Sequence, residues 1–155
     1  MQGLHWDDFP ADGHWRTGER LVTAEDIERF SELSGDINPL HRDDEYARAA
    51  GYEGRIAQGV LGTSIATGLV NRLGLTAGTL AALLGMSWRF ERPLYPGTRV
   101  HVDLTVNALR ATRRTDRGIV VLAALLADEA GSVYQRGELT LLVRRSESSR
   151  EERQR

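Results

Sequence analysis

The residues best suited to chemistry lie in one short stretch, Ser34-Gly35-Asp36-Ile37-Asn38-Pro39-Leu40-His41. A carboxylate, an amide and an imidazole fall within it, between a glycine and a proline that restrict the backbone. A carboxylate beside an imidazole fixes its tautomer and stabilises its charged form, so Asp36 and His41 together can take a proton from water and return one. A second feature lies downstream, where Gly59 stands at the expected start of a long apolar helix. The free N–H groups and the positive dipole end at such a point can polarise a carbonyl oxygen, a thioester's included, without any side chain. Each feature also has a plainer reading. Asp36 serves as a turn residue after a helix end, Asn38-Pro39 as a turn initiator, His41 as a donor to a backbone carbonyl and Gly59 as a packing device. Spacing alone favours the plainer readings.

The elements around the stretch follow from capping and periodicity. Thr23 with Asp26 forms a capping box in its Asp variant, Glu25 suits the first turn, and Ile27, Phe30 and Leu33 make one apolar stripe. Gly35 sits where a helix C-terminal glycine belongs. Pro39 biases Asn38 away from the α region, which predicts an extended or turned backbone from Asp36 to His41. Asp43 is the expected N-cap of a short helix that faces Tyr46, Ala47 and Ala50 inward and ends at Gly51. Gly51 to Arg55 is a connector. From Gly59 to Leu73 the chain carries no charge until Arg72, the pattern of a helix buried nearly all round, with Gly62, Ala66 and Gly68 allowing close approach. Its length would be about 22 Å at the helical rise.

The second half changes character. Ala81–Phe90, Arg99–Leu109, Ile119–Asp128 and Val133–Val143 are strand-length runs, with clear alternation at Val100, Val102, Leu104, Val106 and at Leu139, Leu141, Val143. Short turns join them, so an antiparallel sheet is expected rather than βαβ units. The class is α+β, one long helix against a strongly curved antiparallel sheet whose open edges favour a second subunit. Residues 1–143 form a single domain with an aromatic arm over 1–15 and a short edge strand or lead-in over Arg16–Val22, and 144–155 read as a charged, disordered tail.

Composition narrows the function. A formal charge of −2 over 155 residues does not suit a protein whose main partner is nucleic acid. With no cysteine, disulfide scaffolds, Cys-ligated zinc and thiol catalysis are excluded. His5, His14 and His101 lack the ligand spacing of a zinc site, so no metal is expected. Arg110, Arg113, Arg114 and Arg117 cluster at a hairpin and read first as a solvated turn. No stretch reads as a signal peptide or a membrane span, which makes the cytoplasm the expected location.

Phe30-x-x-Leu33-Ser34-Gly35-Asp36-Ile37-Asn38-Pro39-Leu40-His41, continued by Asp43 and Ala47, closely resembles the hydratase motif of the MaoC-like family. The likeness extends through Gly54-Arg55-Ile56-Ala57-Gln58-Gly59 and into Phe90-x-x-Pro93-Leu94-Tyr95-Pro96-Gly97. The resemblance implies a hotdog fold, a sheet wrapped around a long central helix, and an (R)-specific enoyl-CoA hydratase or 3-hydroxyacyl-CoA dehydratase. It implies Asp36 and His41 as the acid–base pair that activates water at C3 of an enoyl thioester, and the Gly59 N–H as donor to the thioester carbonyl. Asn38 belongs to the motif and is expected to shape the loop. Thr67 matches a position where some hydratases carry Ser, and Gln58 replaces a His of several relatives, which leaves substrate range open. Trp88 and Phe90 share a strand face and are candidates, beside core packing, for lining an acyl tunnel. The implied substrate is an acyl thioester of coenzyme A or of a carrier protein, with no cofactor, in a homodimer or higher homo-oligomer. The alternatives are a dehydratase for branched, dicarboxylic or carrier-bound thioesters, a hotdog thioesterase, and an acyl-thioester-binding hotdog subunit without turnover.

Overall fold

The structure, a computed structural model, describes residues 3–146. Strands β1 (His14–Arg16), β2 (Arg20–Leu21), β3 (Leu80–Phe90), β4 (Arg99–Ala111), β5 (Arg117–Ala127) and β6 (Val133–Arg144) build one curved antiparallel sheet. Its order is β1-β4-β5-β6-β3, with β2 also on β4, so β3 is left as an edge. Alternation does what the sequence predicts: Val100, Val102 and Leu104 on β4 are fully buried, as are Leu122 on β5 and Val143 on β6. Helix α4 (Gly59–Arg72) lies in the concave face, and its Leu61, Ile65, Ala66 and Leu69 join those side chains in one core.

Helix α1 (Ala24–Ser34) begins at the expected capping box. Thr23 Oγ1 accepts from the Asp26 N–H at 3.1 Å, and Asp26 accepts from the Thr23 N–H at 2.9 Å. It ends at Gly35, whose φ of 76° is the left-handed cap that glycine adopts without strain. Two shorter helices follow, α2 (Pro39–Arg42) and α3 (Asp44–Ala49).

Five local expectations need correction. The buried face of α1 runs through Ile27 and Ser31, while Leu33 is 85% exposed; Ser31 is drawn inward by a hydrogen bond described below. Asn38 keeps the extended backbone expected before a proline, at φ −55° and ψ 133°, but the stretch expected to run extended or turned to His41 becomes helical at Pro39, whose fixed φ and missing N–H suit the first helical position. Of the α3 residues expected inside, only Ala47 is buried; Tyr46 and Ala50 face out. Helix α4 is buried on one side only, leaving Val60, Ser64 and Gly68 exposed in this chain.

The fifth concerns the ends. The arm docks on its own domain: Phe9 enters the core, and Trp6 donates from Nε1 to the Ile119 carbonyl at 3.0 Å. Arg144 completes β6, and Arg145 is buried against the arm, 4.0 Å over the Trp6 ring and 3.0 Å from Asp7. The rest of the expected tail, 147–155, lies outside the described residues.

Thr23→Ala removes the cap of α1 and should lower stability by about 1 kcal/mol, measured as a shifted midpoint in urea unfolding at unchanged slope.

Candidate active site

The loop that carries Asp36 and His41 is held by its own side chains. The Asp36 N–H donates to Ser34 Oγ at 3.2 Å, the Asn38 N–H to Asp36 Oδ1 at 3.3 Å, and the Leu40 N–H to Asn38 Oδ1 at 3.0 Å. Asn38 is therefore the N-cap of α2, the loop-shaping role its motif position suggests, with its side-chain oxygen spent on the backbone. The turn of α2 then carries His41 inward.

His41 Nδ1 lies 2.8 Å from the Ile56 carbonyl. A carbonyl only accepts, so Nδ1 carries the hydrogen, and the neutral ring keeps its lone pair on Nε2. Nε2 lies 3.6 Å from Asp36 Oδ2, an ion-pair distance just beyond a direct hydrogen bond. The imidazole is 12% exposed and the carboxylate 46%, so the pair grades from a sheltered ring to a wetted carboxylate. Catalytic hydrogen bonds are commonly long before substrate arrives and tighten with it.

Ile56 also ties the loop to the second feature. Its N–H donates to the Leu40 carbonyl at 3.0 Å, and the next N–H, of Ala57, donates to Leu94 at 2.7 Å. Gln58 and Gly59 follow at once. Gln58 is the N-cap residue of α4, yet its side chain makes no cap hydrogen bond. Its amide turns away to α1, where Nε2 donates to Ser31 Oγ at 2.8 Å and to the Ile27 carbonyl at 3.4 Å. The first turn of α4 is thus not capped by the preceding side chain, and its N–H groups are available to a ligand.

His41, Ile56, Gly59, Val60, Phe90 and Gln135 line one cavity of about 450 Å³. Asp36 reaches it through His41. The Phe90 ring lies on Gly59, so closely that a Cβ there would stand 2.9 Å from the ring. The structure thus brings together His41, Gly59 and Phe90, with Asp36 behind the imidazole.

Three residues expected at the substrate are placed elsewhere. Gln58 is buried against α1, where Ser31 and Ile27 hold its Nε2 while Oε1 has no partner among the described residues. Trp88 does not line the cavity, and its Nε1 donates to Gln135 Oε1 at 2.7 Å. Thr67 sits on α4 about 12 Å beyond Gly59 at the helical rise, donates to the Ser64 carbonyl, and borders a separate apolar depression with Val70, Leu80 and Leu83. Sequence reasoning missed Gln135 and, although it gave His41 a backbone carbonyl to donate to, did not identify that carbonyl as the one of Ile56. The first left a signal, since the alternation of Leu139, Leu141 and Val143 extends back to a polar Gln135 on the buried face. The second is a backbone group and leaves none.

With the geometry in place, the comparisons with known proteins define the class. The MaoC like domain family matches residues 10–127, and the chain belongs to that family. The (R)-specific enoyl-CoA hydratase of Aeromonas caviae is 32% identical over 123 residues, covering 79% of this chain and 87% of that protein. The MaoC-like dehydratase structure from Rhodospirillum rubrum superposes with a TM-score of 0.79 at 28% identity, over 93% of this chain and 99% of that one. A conserved Mycobacterium tuberculosis protein with a double hotdog fold superposes with a TM-score of 0.82 over 94% of this chain and 45% of that one. At 19% identity that likeness bears on fold alone. The curved sheet around α4 is a hotdog fold.

Ser31→Ala would leave the buried Gln58 Nε2 with only its long contact to the Ile27 carbonyl. The expected result is a loss of about 1–3 kcal/mol of stability in denaturant unfolding.

Proposed function

We propose that this chain is a hydro-lyase that adds water across the double bond of a trans-2-enoyl-CoA, giving an (R)-3-hydroxyacyl-CoA, and removes it in the reverse direction. One observation carries the reading: His41, with Nδ1 tied to Ile56 and its free Nε2 beside Asp36, shares a cavity wall with the first turn of α4 at Gly59. The likeness to the Aeromonas caviae enzyme supports the (R) hand of the product.

In the hydration direction Asp36 and His41 take a proton from a water molecule, and the water oxygen bonds to C3. The electron pair of the C2–C3 double bond moves toward the thioester carbonyl, whose oxygen gathers negative charge. The Gly59 N–H and the helix dipole hold that charge. The proton returns from the pair to C2 as the carbonyl reforms. Water is thereby divided between C3 and C2, and no cofactor enters the balance. Phe90 and Val60 supply apolar wall for the acyl chain.

A second copy of the chain completes the assembly in this reading. Edge strand β3 exposes Leu80, Leu83, Leu84 and Met86, and α4 leaves Val60, Ser64 and Gly68 open. An apolar edge of this kind is stabilised by pairing with its equal. No helix among the described residues is long and apolar enough to cross a membrane, and we place the reaction in the cytoplasm.

Asp36→Asn and His41→Ala should each lower crotonyl-CoA hydration, followed as loss of the enoyl thioester absorbance, by about 10²–10⁴-fold with circular dichroism unchanged. Full activity in either variant would sink the assignment. A panel of branched and carrier-bound thioesters separates this reading from a dehydratase of other substrates, binding without turnover would reduce the chain to a binding subunit, and released thiol would indicate a thioesterase. Sedimentation should give a dimer that Leu84→Glu weakens; a monomeric wild type would refute the pairing.

A further inference from the structure

We propose that Gln135 is a positioning residue of this site, whose side-chain amide clamps the first turn of α4 to the sheet and so aims the Gly59 N–H. The proposal rests on the hydration reading above and adds to it what holds the carbonyl-binding end in place.

Gln135 lies on β6, 2% exposed, on the same buried face as Leu139, Leu141 and Val143. Burying an amide there is unfavourable unless it is hydrogen-bonded. It makes three such bonds: Nε2 donates to the Gly59 carbonyl at 3.0 Å, Oε1 accepts from Trp88 Nε1 at 2.7 Å, and Oε1 at 3.2 Å shares the single Thr63 hydroxyl hydrogen with the Gly59 carbonyl at 3.3 Å. The orientation of the amide is dictated by chemistry. An indole N–H can only donate, so the atom facing Trp88 is the oxygen and the nitrogen faces the Gly59 carbonyl.

Two independent features mark this contact as built. Gly62, one turn along α4, lies so close to the amide that a Cβ would stand 2.2 Å from Gln135 Nε2. The absence of a side chain there is what lets the amide lie across the helix. The other feature is Gln58, the residue that would ordinarily cap α4, whose side chain is engaged with α1 instead. The first turn is therefore fastened from the sheet by Gln135 through its carbonyl, while its N–H groups remain for a ligand. Trp88 is thereby recovered as a functional neighbour, acting on the site through Gln135. Misplacing a donor at a developing oxyanion costs about 10²-fold or more in rate, so a clamp on the Gly59 carbonyl, in the peptide next to the one that carries the Gly59 N–H, is felt in turnover before binding.

Two variants test this in the full-length protein. Gln135→Leu deletes all three bonds at similar size. Gly62→Ala keeps Gln135 but drives its amide off the helix; alanine favours the helix itself, and the displaced atoms are the end of a flexible side chain, so this variant carries the test if Gln135→Leu does not fold. With crotonyl-CoA, kcat should fall about 10- to 100-fold in both, with KM moving less than about threefold. The infrared carbonyl stretch of bound, carbonyl-labelled crotonyl-CoA should move back toward its free value in both and stay shifted in Asp36→Asn. Wild-type kcat and an unmoved stretch in both would overturn the proposal, as would a KM effect alone. A third measurement needs no turnover. Hydrogen exchange at the Thr63 amide, which closes the first turn of α4, should quicken in both variants without ligand. If the wild type fails to hydrate crotonyl-CoA, the functional reading falls while this exchange still decides whether Gln135 holds the helix end; unchanged exchange overturns the clamp.

Discussion

The two halves of the site depend on one residue's backbone. Ile56 gives its N–H to Leu40 and its carbonyl to His41, so both polar groups of a single residue are spent on α2. The imidazole cannot turn without orphaning a sheltered carbonyl, and that penalty fixes the tautomer as well as the orientation. Ala57 then pins the same segment to Leu94, on the connection between β3 and β4. Three residues after Ile56, the helix begins. The path from the Asp36–His41 loop to the helix end is therefore a taut strap, and residues far apart in sequence keep a fixed relation because the strap leaves neither end free.

What the strap positions, the sheet supports. Helix α4 lies close to β6 because Gly62 has no Cβ, and close to β3 because Gly59 has none. Each glycine weakens the helix as a local structure by roughly 1 kcal/mol relative to alanine. The compensation is tertiary, in the burial of Leu61, Ile65, Ala66 and Leu69 against the strands. The same residues that make the helix a poor one in isolation allow the sheet to reach its first turn.

Much of this was legible in the sequence, and where it was not the reason is physical. The capping box at Thr23, the glycine cap at Gly35 and the alternation of β4 follow local rules, and local rules held. Leu33 satisfied the helical stripe yet points to solvent, because Gln58 required a partner and Ser31 took the inward position. Pro39 keeps Asn38 extended, as expected, and its first-turn preference also starts a helix at once, a second effect of the same ring. Gln58 and Thr67 were placed by alignment of motif positions, which carries no information about the direction of a side chain. Gln135 was visible only as a breach of pattern, a polar residue in an apolar register, and breaches of this kind are where sequence rules yield to a site.

The order of strands has a temporal consequence. Among the described residues strand β3 pairs with β6 alone, and Trp88 meets Gln135, 47 positions further along the chain. During synthesis β3 emerges long before β6, its one partner strand among the described residues, and waits unpaired, with Leu83, Leu84 and Met86 along an apolar edge. Sheets closed by such distant partners form slowly, and their waiting strands are exposed to association. The arrival of β6 therefore performs two tasks at once: it covers one edge of β3 and delivers Gln135 to the helix, while the outer apolar edge stays open until a second copy meets it.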